Sequence, residues 1–302
     1  MPASWSVPPS SAIKGAAVAA SNMARTEICS VNDIRAAVGE AEWAARVDLA
    51  ACYRLVALYG MTDLIYNHIS AQVPGHDDQY LINPYGMLYE EITASSLVKI
   101  DIEGRTLLQP DHGYNVNVAG FYLHAPIHRA RPDVKCVLHT HTRAGTAVST
   151  LAEGLLPLSQ TAMRFHGRIG YHDFEGPAID RDECDRVVGD LGRNNVLILR
   201  NHGLLVCGHT VPQAFNAIYW LEQACRIQID ALGCGRPLHA PTETAIDNTV
   251  TCFAGTEITL HNERDTNPVL NEAAQNLQAG YGLLEWPALR RRLDRIDGSY
   301  AQ

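Results

Sequence analysis

The chain has 302 residues, 46% hydrophobic and 19% charged, the balance of an ordinary globular protein long enough to bury a large core without covalent staples. Its net charge of −9 and pI near 5.8 come with no long basic run. That excludes nucleic acid and anionic membrane surfaces as natural partners, since Lys and Arg carry both kinds of binding, and no stretch approaches the roughly 20 apolar residues of a membrane span.

The first residues, Met1 to about Ile28, are rich in Ala, Ser and Pro and read as a loosely docked extension. Glu42–Tyr59 has apolar residues at helical spacing (Ala45, Leu49, Cys52, Val56) and a natural stop at Gly60. From Leu64 the period changes to two. Ile69–Val73 and Tyr80–Ile82 read as strands joined by the turn Pro74–Asp78, and Leu97–Ile102 reads as a third strand. Phe121–Ala130 fits a helix that Arg131-Pro132 ends. Val134–His141 is an apolar strand with polar residues at its far end. Asn195–Arg200 is another, running into Asn201-His202-Gly203 and on through Leu204–Cys207. Val211–Leu232 is a long helix with Thr210 as its N-cap, and Arg290–Arg295 lies on a terminal helix. This order implies an α/β sheet with helices on its faces. Residues 1–33 are expected to be a flexible extension, 34–240 the folded domain and 241–302 a tail. The eight cysteines show no C-x-x-C spacing. They are expected to be reduced in a cytoplasmic protein.

There is no glycine-rich phosphate loop and no nucleophile elbow. The chemistry-bearing feature is His139-Thr140-His141. Residues i and i+2 of a strand share a face, so two imidazoles project together, and neutral imidazole is a common ligand of zinc and iron. His202, where a strand bends before Gly203, makes a third. Three protein ligands with an open position describe a catalytic metal, although spacing alone is equally compatible with three unrelated polar residues.

Several motifs, in order, resemble the class II aldolase/adducin family: Tyr66-Asn67-His68-Ile69-Ser70, Ile82-Asn83-Pro84-Tyr85-Gly86, Ile92-Thr93-Ala94-Ser95, the run from Ala130 to Thr142, and Leu199-Arg200-Asn201-His202-Gly203. The resemblance covers about Glu42 to Leu232. It implies a single αβα domain around a mostly antiparallel sheet. It also implies metal ligands at His139, His141 and His202, one divalent ion (zinc or manganese), and a homotetramer with sites between subunits.

The sequence departs from the sugar-phosphate aldolases of that family. Where they carry the Ser-Ser-Glu that binds phosphate and supplies the catalytic base, this chain has Val118, Ala119 and Gly120. Losing a general base is a loss of about 10²–10⁴-fold, and apolar residues cannot match a phosphate dianion. The segments Tyr171–Gly176 and Ala224–Gln228 look closer to the adducin branch, but the long basic tail of adducins is missing.

The expectation is therefore a metal-dependent lyase, of decarboxylase or retro-aldol type, for a small non-phosphorylated carboxylic or keto acid. The alternatives are an Fe(II) oxygenase of an aromatic keto acid using the same histidines, an aldolase with its base recruited elsewhere, and a non-enzymatic adducin-like module. His124, His166 and Tyr171 are the candidate proton-transfer groups. Asn67, His68, Ser70, Tyr85, Gly86, Gly120 and Asn201 are the candidate substrate contacts. Turn chemistry or core packing is the competing explanation for each. Tyr281 and Tyr300 are weaker candidates for reaching a neighbouring subunit's site.

Overall fold

The structure, a computed structural model, describes residues 26–176, 181–254 and 282–302. Its first element falls inside the stretch expected to be a flexible extension. Glu27–Cys29 forms strand β1, an edge strand that pairs in parallel with a later one, Glu27 opposite Leu108. Residues 1–25 of the expected extension lie outside the described residues. After the single turn α1 (Ile34–Ala37), helix α2 (Glu40–Leu58) buries Leu49, Cys52, Tyr53 and Val56, and Gly60 follows in the left-handed region, as its spacing predicts.

The remaining elements are β2 (His68–Gln72), β3 (Gln79–Ile82), β4 (Val98–Asp101), β5 (Thr106–Pro110), α3 (Val118–Ala130), β6 (Cys136–Thr140), α4 (Arg143–Ser149), α5 (Gln160–Met163), β7 (Ile169–His172), α6 (Arg181–Leu191), β8 (Val196–Leu199), β9 (Gly203–Gly208), α7 (Val211–Gly233), α8 (Glu243–Ala254) and α9 (Trp286–Asp297). The strands form one nine-stranded sheet in the order β1-β5-β4-β3-β2-β6-β9-β8-β7. It is antiparallel except for the β1–β5 and β7–β8 pairs at its two edges.

Period-two alternation sends the two faces of this sheet to different layers. Ile69, Ala71, Leu138, Ile198, Leu204 and Val206 share a core with Leu49 and Leu55 of α2 and with Phe215, Ile218 and Leu221 of α7. On the opposite face Val137, Leu197, Leu199, Leu205 and Cys207 pack with Leu123 and Ile127 of α3 and Val187 and Leu191 of α6. This is the three-layer αβα arrangement expected from the resemblance. The described end of the tail is docked into the first layer. Trp286, Leu293 and Tyr300 belong to the main core, and Trp286 Nε1 donates to Asp48 at 3.0 Å.

Helix α3 begins at Val118 rather than at Phe121, where the sequence placed its start. Gly120 is thereby inside the helix. Gly120, His124 and His128 then follow at four-residue spacing along one face, which lies on the sheet at β2.

Candidate metal centre

Strand β6 lies in the middle of the sheet and carries the first ligand candidate. His139 pairs with His68 of β2 on one side and with Leu205 of β9 on the other. His202 arrives from the β8–β9 hairpin, whose connection is only Arg200, Asn201 and His202. Asn201 takes φ +57°, the left-handed conformation such a short loop needs and Asn tolerates. Gly203 follows because a Cβ there would collide with the carbonyl of Thr140. The close β6–β9 approach at this point sets His202 beside His141.

The three imidazoles meet through one nitrogen each. His139 Nε2 lies 2.7 Å from His141 Nε2, which lies 3.0 Å from His202 Nε2, and the three candidate donor atoms lie within 4.8 Å of one another. The other ring nitrogens fix the tautomers. His139 Nδ1 donates to the Leu204 carbonyl at 2.9 Å, and a carbonyl can only accept. His141 Nδ1 donates to the Asp63 carboxylate at 3.0 Å. Both Nε2 atoms are therefore bare lone pairs turned toward each other, an arrangement that a cation between them resolves. The carboxylate–histidine pairing is the usual outer support of a metal ligand. Burial, reinforced by His68, His202 and His141, holds His139 well below the ordinary imidazole range, and burial with His141 lowers His202 to about 4. Both are thus neutral, as ligands must be.

Asp63 is the partner the sequence reading missed. It sits in the irregular connection before β2, where Leu64 is held at φ +47°. Asn67, expected to touch substrate, instead accepts from the Asp63 backbone N–H at 2.6 Å through Oδ1 and is fully buried. It braces the loop that carries the carboxylate.

Next to these three histidines runs a buried polar row. His68 Nδ1 lies 2.9 Å from His124 Nε2, His124 Nδ1 lies 2.8 Å from Ser70 Oγ, and Ser70 Oγ lies 2.8 Å from His128 Nε2. His128 Nδ1 faces the Val134 carbonyl at 3.3 Å. His68 and Ser70 alternate onto the face of His139, and His124 and His128 come down onto them from α3. Burial is the main cause that holds His68 and His124 well below the ordinary imidazole range and His128 at about 4. Of the predicted residues, His68, Ser70, Gly120 and His124 are therefore brought together beside the three-histidine cluster; His128 was not singled out.

Others are not brought there. Tyr171 points to the opposite face of β7. Its hydroxyl accepts from the Leu155 N–H at 3.1 Å and its ring lies 4.3 Å beneath the Arg200 guanidinium. Alternation gives the site side to its neighbour His172, whose Nδ1 donates to Asp190 at 2.8 Å. His166 is an exposed residue just after α5, with no contact to the histidine cluster among the described residues. Asn201 is exposed and acts through its backbone turn. Tyr85 packs near Tyr66, ring centres 6.3 Å apart, and Gly86 at φ +126° lies against Tyr114. Tyr300 is buried in its own subunit's core and donates to Asp294 at 2.7 Å. Tyr281 lies outside the described residues.

The family described as "Class II Aldolase and Adducin N-terminal domain" matches residues 47–229. A Pseudomonas aeruginosa protein provisionally named an aldolase class 2 protein is 45% identical over 271 residues, covering 89% of this chain and 96% of that protein. Rat alpha-adducin is 44% identical over 220 residues, which are 71% of this chain but 30% of the adducin. The crystal structure of an aldolase II superfamily protein from Pseudomonas syringae superposes with a TM-score of 0.75 at 42% identity, covering 89% of this chain and 99% of that one. An L-fuculose 1-phosphate aldolase from Glaciozyma antarctica shares the fold, with a TM-score of 0.70 at 24% identity over 86% of this chain and 93% of that one.

Proposed function

Because the chain belongs to the class II aldolase and adducin family, we propose that it is a divalent-metal-dependent lyase, of decarboxylase or retro-aldol type, acting on a small non-phosphorylated carboxylic or keto acid. The observation that carries this reading is the convergence of His139, His141 and His202 through their Nε2 atoms, those of His139 and His141 left bare because Nδ1 donates to the Leu204 carbonyl and to Asp63. A scaffold has no use for imidazoles oriented in this way.

A divalent ion held by these three residues would supply Lewis-acid polarisation of a substrate carbonyl. The chain's own part is to hold the ligands in the right tautomer, to exclude bulk water, and to offer proton-transfer groups. Helix α3 brings a glycine rather than a carboxylate to the space above β2, so a substrate meets imidazoles and no fixed negative charge there. That suits an anionic acid. Among the described residues no helix is long and apolar enough to cross a membrane, and Cys29, Cys52, Cys136, Cys207, Cys225 and Cys234 form no disulfide. Both fit the proposed cytoplasmic setting, as the family fits a homotetramer, which light scattering can test.

The test is metal analysis followed by turnover. The purified protein should hold about one zinc or manganese per chain, lost in His139→Ala, and chelators should abolish turnover of small keto or hydroxy acids. Stoichiometric iron with oxygen uptake on adding aromatic keto acids would instead favour an Fe(II) oxygenase, a reading supported by the all-imidazole donor set. No bound metal, and no effect of His139→Ala, would favour an adducin-like interaction module, which the alpha-adducin match supports.

A further inference from the structure

We propose that His68 is the proton-transfer residue of this site, accepting a proton from substrate at Nε2, with the row His124–Ser70–His128 holding it in the tautomer that leaves that atom bare. This rests on the lyase reading above and names the group that handles the proton within it.

The polarity of the row follows from its far end. The Val134 carbonyl can only accept, so His128 Nδ1 carries a hydrogen and His128 Nε2 is an acceptor. Ser70 must then donate its hydroxyl hydrogen to His128, which leaves Ser70 Oγ to accept from His124 Nδ1. His124 Nε2 is therefore an acceptor in turn, and His68 Nδ1 donates to it. Each of the four groups gives one hydrogen and takes one, except His68 Nε2 at the near end. Among the described residues that atom has no protein partner.

Position makes this atom useful. His68 and His139 are directly opposed across the β2–β6 ladder, with ring centres 5.1 Å apart, and side chains so opposed share a face. A substrate held at the ligand histidines is thus within the neighbourhood of the His68 ring. Gly120 makes room for it: a Cβ at that position would lie 2.8 Å from Cγ and 2.9 Å from Cδ2 of His68. Across the described residues this is the one imidazole with an uncommitted acceptor nitrogen that borders the three ligands and is backed by a buried row.

In a retro-aldol step the proton of the substrate β-hydroxyl moves to His68 Nε2. The O–H pair becomes the new carbonyl bond, the Cα–Cβ bond breaks, and its pair remains on the departing keto acid as an enolate. The proton on Nε2 then returns to the enolate carbon, so atoms and charge balance with no co-reactant. The same carbon–proton exchange occurs with a simple 2-oxo acid alone. The C3 proton of pyruvate passes to Nε2, the C–H pair becomes the enolate, and a solvent-exchanged proton comes back.

Two measurements test this. Nitrogen-15 NMR of the metal-free full chain should give His68 a protonated Nδ1 and a bare Nε2, with His124 and His128 also protonated at Nδ1; a hydrogen on His68 Nε2 would overturn the assignment without reference to activity. Second, the zinc-, manganese- or iron(II)-loaded protein should incorporate deuterium at C3 of pyruvate. His68→Asn keeps an amide donor where Nδ1 stood and removes the basic Nε2, so it should slow exchange about 100-fold or more while metal stoichiometry and unfolding midpoint stay near wild type. Exchange that survives undiminished in His68→Asn would overturn the role of His68 alone. No exchange by the wild type with any of the three metals would overturn the keto-acid lyase reading, and the role of His68 with it.

Discussion

Gly120 of α3 lies against the imidazole of His68, so closely that a methyl group on residue 120 would stand 2.8 Å from the ring's Cγ. Alanine is the better helix former by about 1 kcal/mol, and at a free helical position Gly120→Ala would stabilise. Here overpacking costs about 1–3 kcal/mol, so the variant should unfold at lower urea than wild type. In a His68→Ala background the same change should become stabilising. That inversion of sign, read from four unfolding curves, isolates the contact from any general effect of the helix.

Metal affinity should decline in layers. His139→Ala, His141→Ala and His202→Ala should each lose stoichiometric zinc. Asp63→Ala removes only the acceptor of His141 Nδ1 and should weaken binding about 10–100-fold, as measured by competition with a chromophoric chelator. Asn67→Ala should shift affinity in the same direction, because Asn67 Oδ1 holds the Asp63 backbone.

Acid should unfold the metal-free protein earlier than its carboxylates alone would require. His128 and His202 are lowered to about 4, burial being the first cause for both. Unfolded histidine titrates near 6.5. Between these limits the unfolded chain binds more protons than the folded one, so stability falls as pH falls from about 6.5 to 4, by up to about 1.4 kcal/mol per pH unit for each such group. Thermal melts across that window should show the steepest decline. Bound zinc should flatten its upper part.

The tail beyond residue 240 should be essential at its end. Trp286 is 6% exposed within the main core, so Trp286→Ala should cost about 3–5 kcal/mol. Truncation before residue 282 should be at least as damaging. Unchanged denaturation would mean that this segment does not belong to the folded unit.

Two excluded candidates provide controls. His166→Ala should leave both metal content and stability near wild type. Tyr171→Phe should cost about 1 kcal/mol through the lost acceptor for the Leu155 N–H, with no change in metal content.

Strand periodicity put His139 and His141 on one face, and the strand–glycine junction marked His202, but the family resemblance was needed to group the three. The long helices α2, α3 and α7 and the inner strand segments were legible too, though not the order of those strands in the sheet. Asp63 was not, since it reaches His141 from an irregular loop whose left-handed Leu64 obeys no spacing rule. Nor was the Leu204 carbonyl, a backbone group that any residue would provide. The pairing of His68 with His139 needed the register of β2 on β6, which two separate hydrophobic patterns do not specify. Tyr171 was misplaced because the side chains of β7 alternate: the aromatic faces the core of α2 and α7, and the adjacent His172 takes the other side. The short β1 was hidden in a segment whose composition reads as loose.

The polar row from His68 ends on the carbonyl oxygen of Val134, and a carbonyl has no hydrogen to pass onward. The row is a cul-de-sac rather than a conduit. A charge acquired at its open end has no exit through the interior, and relaying it inward would strand an imidazolium at His128, under α3 and against Tyr80. Whatever proton enters at the mouth must leave by the mouth. Return to substrate and exchange with solvent must therefore both take place at the His68 end, and neither can run through the interior.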